Sequence, residues 1–384
     1  MDIGNSGNIK YIGASTRDLD LFESQYIVPN GMAYNSYVII DEKIAIMDTA
    51  DKIVSNEWMS NLKVALGDRT PDYLVIQHLE PDHSANIQSV INEYPDVKIV
   101  CSNRAKTMIK QFADVDDEMI ISKAEGDTLE LGVHTLTFVM APMVHWPEVM
   151  VSYESSEKVL FSADAFGKFG ALDADEGWSC EARRYYFNIV GKFGPAVQTL
   201  LKKASALDIE TICPLHGPIL TDTIPEVLKL YNTWSSYEPE DEGVFIAYAS
   251  IHGNTAQAAE IMKKKLEERG CPRVAMADLS RDDMAECVED SFRHSTLLCM
   301  ASSYDGGAFA PMSDFLHHLK SKAFQNRKVA IVENGSWAPT AAKAMKTEFE
   351  TMKNITFVGD TVTIKTRVTD ADIQNLDALA EAIK

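Results

Sequence analysis

The chain has 384 residues, 46% hydrophobic and 24% charged, a globular balance that excludes wholesale disorder and suggests two or three domains at about 150 residues each. Lys and Arg number 36 against 57 Asp and Glu, a net charge of −21, which argues against a nucleic-acid or anionic-lipid surface. No apolar run approaches the ~20 residues of a membrane span, and MDIGNSGNIK is not a basic-then-apolar signal sequence. The expectation is a soluble, cytoplasmic protein. Cys101, Cys180, Cys213, Cys271, Cys287 and Cys299 contain no C-x-x-C pair and read as free thiols.

In chain order, strand-like runs appear at 36–41, 44–48, 73–78 and 97–102, with helical patterns between, then at 134–140, 149–153 and 158–162. This mixture predicts sheets covered by helices, an αββα sandwich. A helix at 225–236 leads into YEPEDEG (237–243), where Pro239, Gly243 and a charge run mark a linker. Residues 1–243 hold 19 basic and 38 acidic residues, a net −19, whereas 244–384 hold 17 and 19, a net −2. Beyond the linker, strands at 244–249, 274–278, 295–301, 328–333 and 355–359 alternate with helices at 254–269, 311–323, 338–352 and 370–383, and a shorter segment at 281–291. That alternation predicts a doubly wound, five-stranded parallel sheet. The expected domains are 1–243 and 244–384.

Histidines and carboxylates gather where the first domain's strands end. HLEPDH holds His78, Glu80, Asp82 and His83, and Pro81 is expected to forbid a helix, so that one loop presents several ligands to a common point. His145 follows in APMVHWPE, Asp164 in FSADAFG and His216 in CPLHGP. One such histidine is ordinarily a hydrogen-bonded structural residue; four with three carboxylates, all at strand ends, read as a metal site.

The order HxExDH, His, Asp, His resembles the flavodiiron branch of the metallo-β-lactamase fold. The spacing agrees: 62 residues separate Asp82 from His145, and 18 separate His145 from Asp164. The 51 residues from Asp164 to His216 suggest a trimmed loop around 167–183. Zinc hydrolases of this fold usually carry His where Glu80 stands, and a carboxylate makes the site harder and better suited to iron. By this resemblance His78, Glu80 and His145 hold one iron, Asp82 and His216 the other, and Asp164 bridges them. The equivalent of His83 ligates in some relatives and swings away in others. Tyr185 or Tyr186 would supply a hydroxyl beside the ligands, or form a packed aromatic pair.

In the second domain, Ser250-Ile251-His252-Gly253-Asn254-Thr255 opens a helix, where bare N–H groups and the helix dipole favour an anion. Its S-x-x-G-x-T spacing resembles the FMN phosphate loop of flavodoxins. Two more loops follow strands at the carboxyl edge: Ser302-Ser303-Tyr304-Asp305-Gly306-Gly307, and Asn334-Gly335-Ser336-Trp337, whose indole would cover the flavin ring. FAD is disfavoured by the absence of a G-x-G-x-x-G fingerprint.

The resemblance implies an oxidoreductase with two non-haem irons and FMN that reduces O2 to water, NO to N2O, or both. It further implies a head-to-tail homodimer or homotetramer. With no rubredoxin-type cysteine pairs and no nicotinamide domain in the sequence, electrons are expected from a separate donor, rubredoxin or reduced F420. The competing readings are a dizinc hydrolase with an accessory flavin domain, and an electron-transfer module with an inactive metal domain.

Overall fold

Short runs of β-branched residues build two sheets in the first of two units into which the computed structural model divides; it describes residues 1–384. The first unit comprises Met1–Tyr186 and Phe193–Asn232, the second Phe187–Lys192 and Thr233–Lys384.

In the first unit, one sheet runs Asp2–Ile3, Ile9–Tyr11, Tyr37–Ile40, Ile44–Met47, Tyr73–Ile76, Lys98–Ser102 and Ile120–Lys123 in spatial order. The other runs Thr128–Glu130, Thr135–Met140, Met150–Glu154, Val159–Phe161 and Thr211–Cys213. Their inner faces meet in one core: Tyr37, Ile39, Met47, Val75 and Val100 from the first sheet against Leu136, Phe138, Met150, Phe161 and Cys213 from the second. Each such side chain contributes about 1.5–3 kcal/mol by leaving water. Helices close the layer: Ser55–Leu66 turns Trp58, Leu62 and Leu66, spaced by four, to the interior. The expected αββα sandwich is therefore present.

The second unit has five parallel strands in the order Val274–Asp278, Asp241–Ala249, His294–Tyr304, Gln325–Asn334 and Lys353–Phe357. Two short additions, Gly307–Ala308 and Val362–Ile364, pair with its third and fourth strands. The first strand in sequence lies second in space, so connections leave it in opposite directions and open a crevice at its carboxyl end. The unassigned segment at 281–291 becomes the helix Met284–Arg293, capped by Asp283, whose side chain accepts from the Ala285 amide at 3.1 Å.

The structure alters the reading at two places. The last three residues of the acidic stretch 237–243 are strand rather than linker, because Asp241 pairs with His294 in the ladder. The division between units falls at 232/233, and 187–192 also belong to the second unit. Pro81 begins a helical turn, Pro81–Ser84, instead of forbidding one: at the first helical position its missing N–H costs nothing. No helix is long and apolar enough to cross a membrane.

Candidate functional sites

Four loops leave the strand ends Ile76, Met140, Phe161 and Cys213 and bring seven side chains to one place. His78, Glu80, His145 and Asp164 form one group of converging ligand atoms, and Asp82, His83 and His216 a second. Asp164 faces both. Its Oδ2 lies 3.0 Å from His145 Nε2 and 3.5 Å from His78 Nε2, while its Oδ1 lies 3.1 Å from His83 Nε2 and 3.7 Å from His216 Nε2. Glu80 Oε2 completes the first group, 3.1 Å from His145 Nε2 and 3.3 Å from His78 Nε2. Asp82 Oδ2 completes the second, 3.3 Å from His83 Nε2 and 3.2 Å from His216 Nε2.

The electrostatics of this cluster demand positive charge. Burial alone depresses the His83 imidazole, yet the charges of Asp82 and Asp164 push it up to about 9. His145 is also raised to about 9, burial being outweighed by its bonds to Asp164 and Glu80. Burial raises the Asp164 carboxyl, but His83, His78 and His145 hold it well below the usual range. Asp82 Oδ1 and His83 Nδ1 are buried without a hydrogen-bond partner, and the short contacts of His83 Nε2 with Asp82 Oδ2 and Asp164 Oδ1 do not have hydrogen-bond geometry. Such orphans are costly, and a pair of cations would satisfy them. The donor set, three carboxylates with four imidazoles, is harder than an all-imidazole site and fits iron.

Several supporting residues escaped the sequence reading. Glu148 Oε1 accepts from the Leu79 amide at 3.0 Å and lies 2.9 Å from His78 Nδ1. Asp48, with burial lifting its carboxyl to about 6, accepts from the Gln77 and His78 amides and fixes the start of the ligand loop. Glu148 was visible in HWPE, three residues after His145. Asp48 carried no local signal; its role depends on parallel pairing of Ile44–Met47 with Tyr73–Ile76. Of the two tyrosines, Tyr185 lies beside the ligands, its ring 5.5 Å from that of His216, while Tyr186 packs on Tyr231.

In the second unit, a cleft at the carboxyl edge is lined by Ser250, Ile251, His252, Asn254, Thr255, Ser302, Ser303, Tyr304, Asn334, Gly335, Ser336 and Trp337. Gly253 adopts φ +89° to turn the chain into the helix Asn254–Glu268, whose first residues, Asn254 and Thr255, line the cleft. Thr255 and Ser302 share a hydroxyl hydrogen bond of 2.9 Å. Asp305, Gly306 and Gly307 do not line this cleft; they turn into a neighbouring one with Tyr304. Ser303 spends its hydroxyl oxygen on the Thr340 and Ala341 amides, starting the next helix. Thr366 was missed: it lines the cleft and bonds Ser336 Oγ at 2.6 Å from beyond the added strand Val362–Ile364. Trp337 is 92% exposed. A bare indole beside amide-rich loops suits a planar, phosphorylated ligand.

A metal-binding β-lactamase-like unit joined to a flavodoxin-like one defines the class, and comparison with known proteins agrees. The family model "ODP family beta lactamase" matches residues 32–217. An uncharacterised protein of Methanocaldococcus jannaschii is 32% identical over 266 residues, 67% of each chain. The anaerobic nitric oxide reductase flavorubredoxin of Escherichia coli is 28% identical over 364 residues, 91% of this chain and 75% of that protein. The rubredoxin oxygen:oxidoreductase of Desulfovibrio gigas superposes with a TM-score of 0.91 at 26% identity, covering 98% of this chain and 96% of that one. A flavo di-iron protein of Thermotoga maritima shares the fold, with a TM-score of 0.87 at 22% identity. The chain belongs to the flavodiiron protein family of oxidoreductases, whose members carry FMN and a non-haem diiron site.

Proposed function

We propose that this protein reduces a diatomic substrate, O2 to water, NO to N2O, or both, at two irons that FMN supplies with electrons. The observation that carries the reading is the division of Asp164: one carboxylate oxygen faces His78, Glu80 and His145, the other His83 and His216. On this reading the first three residues with Asp164 Oδ2 hold one ion. Asp82, His83 and His216 with Asp164 Oδ1 hold the other, so His83 is counted as a ligand.

The iron pair would bind the diatomic and pass it electrons, and the flavin would restore them. The chain's own residues set the conditions. Phe22, Glu23 and Tyr34 line the approach to Glu80 and Asp82, and the Phe22 and Tyr34 rings pack edge-on against His216, limiting water there. Burial, followed by the charges of Asp164 and Asp82, holds the Tyr185 hydroxyl well above its ordinary value. So placed, with its ring beside His216, the Tyr185 hydroxyl would be a hydrogen-bond donor next to the metal pair. In the second unit, Ser250 to Thr255 would take the FMN phosphate, the 302–304 and 334–337 loops the ring system, and Trp337 its open face.

The electron donor is proposed to be a rubredoxin-type protein, with reduced F420 as the other candidate. The names of the Escherichia coli and Desulfovibrio gigas relatives support the first. A head-to-tail homodimer or homotetramer and a cytoplasmic location complete the reading, both on resemblance to the family. The test is the iron, zinc and FMN content of anaerobically purified protein, followed by O2 and NO consumption with reduced rubredoxin. About two irons and one FMN per chain with turnover of either gas supports the reading. Two zincs from iron-replete cells would favour the hydrolase instead.

A further inference from the structure

We infer that Lys168, through its ion pair with Glu176, is a positioning residue for His216 and hence for the second metal of the pair; the inference rests on the dimetal reading above. Lys168 is only 4% exposed, and its Nζ lies 2.8 Å from Glu176 Oε1. A buried ion pair gains little stability over an apolar contact, so what this one supplies is placement: it fixes Glu176 against the strap.

The pair sits in the short strap after Asp164, and three kinds of contact connect it to His216. First, the strap packs on the His216 loop: Gly217, at φ +77°, approaches so closely that a Cβ there would stand 2.7 Å from Lys168 Cγ. Second, Glu176 Oε2 accepts from Asn30 Nδ2 at 2.7 Å, and the Ala171 amide donates to Asn30 O at 2.9 Å. Gly170 bridges Met32 beside them, and a side chain at Gly170 would strike Glu176 Oε1. The strap is thus fastened to the strand Met32–Tyr34. Third, Ala33 O of that strand lies 2.8 Å from His216 Nδ1. This carbonyl accepts a hydrogen bond from Nδ1–H, which leaves the Nε2 lone pair facing Asp82. The ion pair holds the strap, the strap the strand, and the strand's carbonyl the ring. In the first group, His78 hangs on Asp48 and Glu148 instead.

The two groups should therefore respond differently to loss of the pair. The experiment uses the full chain with FMN, wild type beside Lys168→Met, Glu176→Gln, Lys168→Arg and His216→Ala, each reconstituted anaerobically with 57Fe(II). Iron and FMN per chain, competition with a graded chelator, Mössbauer spectra and melting temperature are read. Lys168→Met is expected to weaken one of the two irons about 10–100-fold, the usual effect of disturbing a ligand's support. Its other iron and FMN should be unchanged, and its Mössbauer spectrum should approach that of His216→Ala. Glu176→Gln should fall between, and Lys168→Arg should restore the second iron.

Two irons held with wild-type affinity and spectrum in Lys168→Met and Glu176→Gln would overturn the inference. So would loss of both irons together with a lower melting temperature in every variant, Lys168→Arg included, since that is the mark of a merely structural pair. If wild-type protein itself binds no metal pair, the dimetal reading fails first, and this inference with it.

Discussion

Glu148 Oε1 lies 2.9 Å from His78 Nδ1, with both residues sealed from solvent. The contact sets which nitrogen of His78 is available: with Nδ1–H donating to the carboxylate, Nε2 is left towards Glu80 and Asp164. Glu148 also accepts from the Leu79 amide, so one carboxylate fixes both ring and backbone. Glu148→Ala should weaken the first metal about 10–100-fold, measured by chelator competition, and leave FMN content unchanged. Unaltered affinity for both metals would mean that the carboxylate does not orient the ligand.

Acid stability should depend on Asp241. Burial raises its carboxyl, but the hydrogen bond to His294 and the charges of His294, Arg273 and Arg293 outweigh burial and hold it below the usual range. A carboxyl lowered in the folded state stabilises above its unfolded value, near pH 4, and loses that contribution as pH falls through the folded value. Asp241→Asn should therefore lower the urea midpoint at pH 7. The gap from wild type should narrow as the pH drops below about 4. A gap constant across that range would assign the loss to packing rather than charge.

The features legible in the sequence were those written locally. His78, Glu80, Asp82 and His83 lie within six residues, and His145, Asp164 and His216 each stand beside a strand end, so the candidates could be picked out locally, while their division between two ions came from the resemblance to the family. Strand alternation likewise announced the doubly wound sheet. Long-range pairing was what stayed hidden. Asp48 reaches His78 only because Ile44–Met47 lies beside Tyr73–Ile76, and Thr366 reaches Ser336 only through the added strand Val362–Ile364. The acidic run at 237–243 misled for a related reason: Asp241 looks solvated until His294 is placed against it. Pro81 misled because a proline that breaks a helix interior also starts one well.

The inter-sheet core should control the metal site through Phe161. Its side chain is fully buried, its ring 5.5 Å from that of Tyr37. The Tyr37 hydroxyl in turn donates to Pro214 O at 2.7 Å, two residues before His216. Phe161→Ala removes a filled volume that the rigid layers cannot close, a loss of about 3–5 kcal/mol. With two units in the chain, unfolding need not be a single transition. The transition that releases metal should move to lower urea, while that reported by bound flavin stays in place. Equal movement of both would show that the sandwich does not unfold on its own.

Trp337 provides the converse case, a side chain that matters for binding and little for folding. At 92% exposure it buries almost nothing in the protein itself, so Trp337→Ala should change stability by no more than about 0.5 kcal/mol. If its indole covers the flavin, truncation removes an aromatic contact of about 0.5–1.5 kcal/mol, which corresponds to up to about tenfold in Kd. Ser336→Ala and Thr366→Ala, which break the hydroxyl bond of the same loop, should weaken FMN through loop order instead. Flavin fluorescence during titration of the apoprotein gives Kd, and urea unfolding gives the stability. A stable Trp337→Ala protein with unchanged FMN affinity would place the ring system elsewhere in the cleft, against Tyr304 rather than the indole.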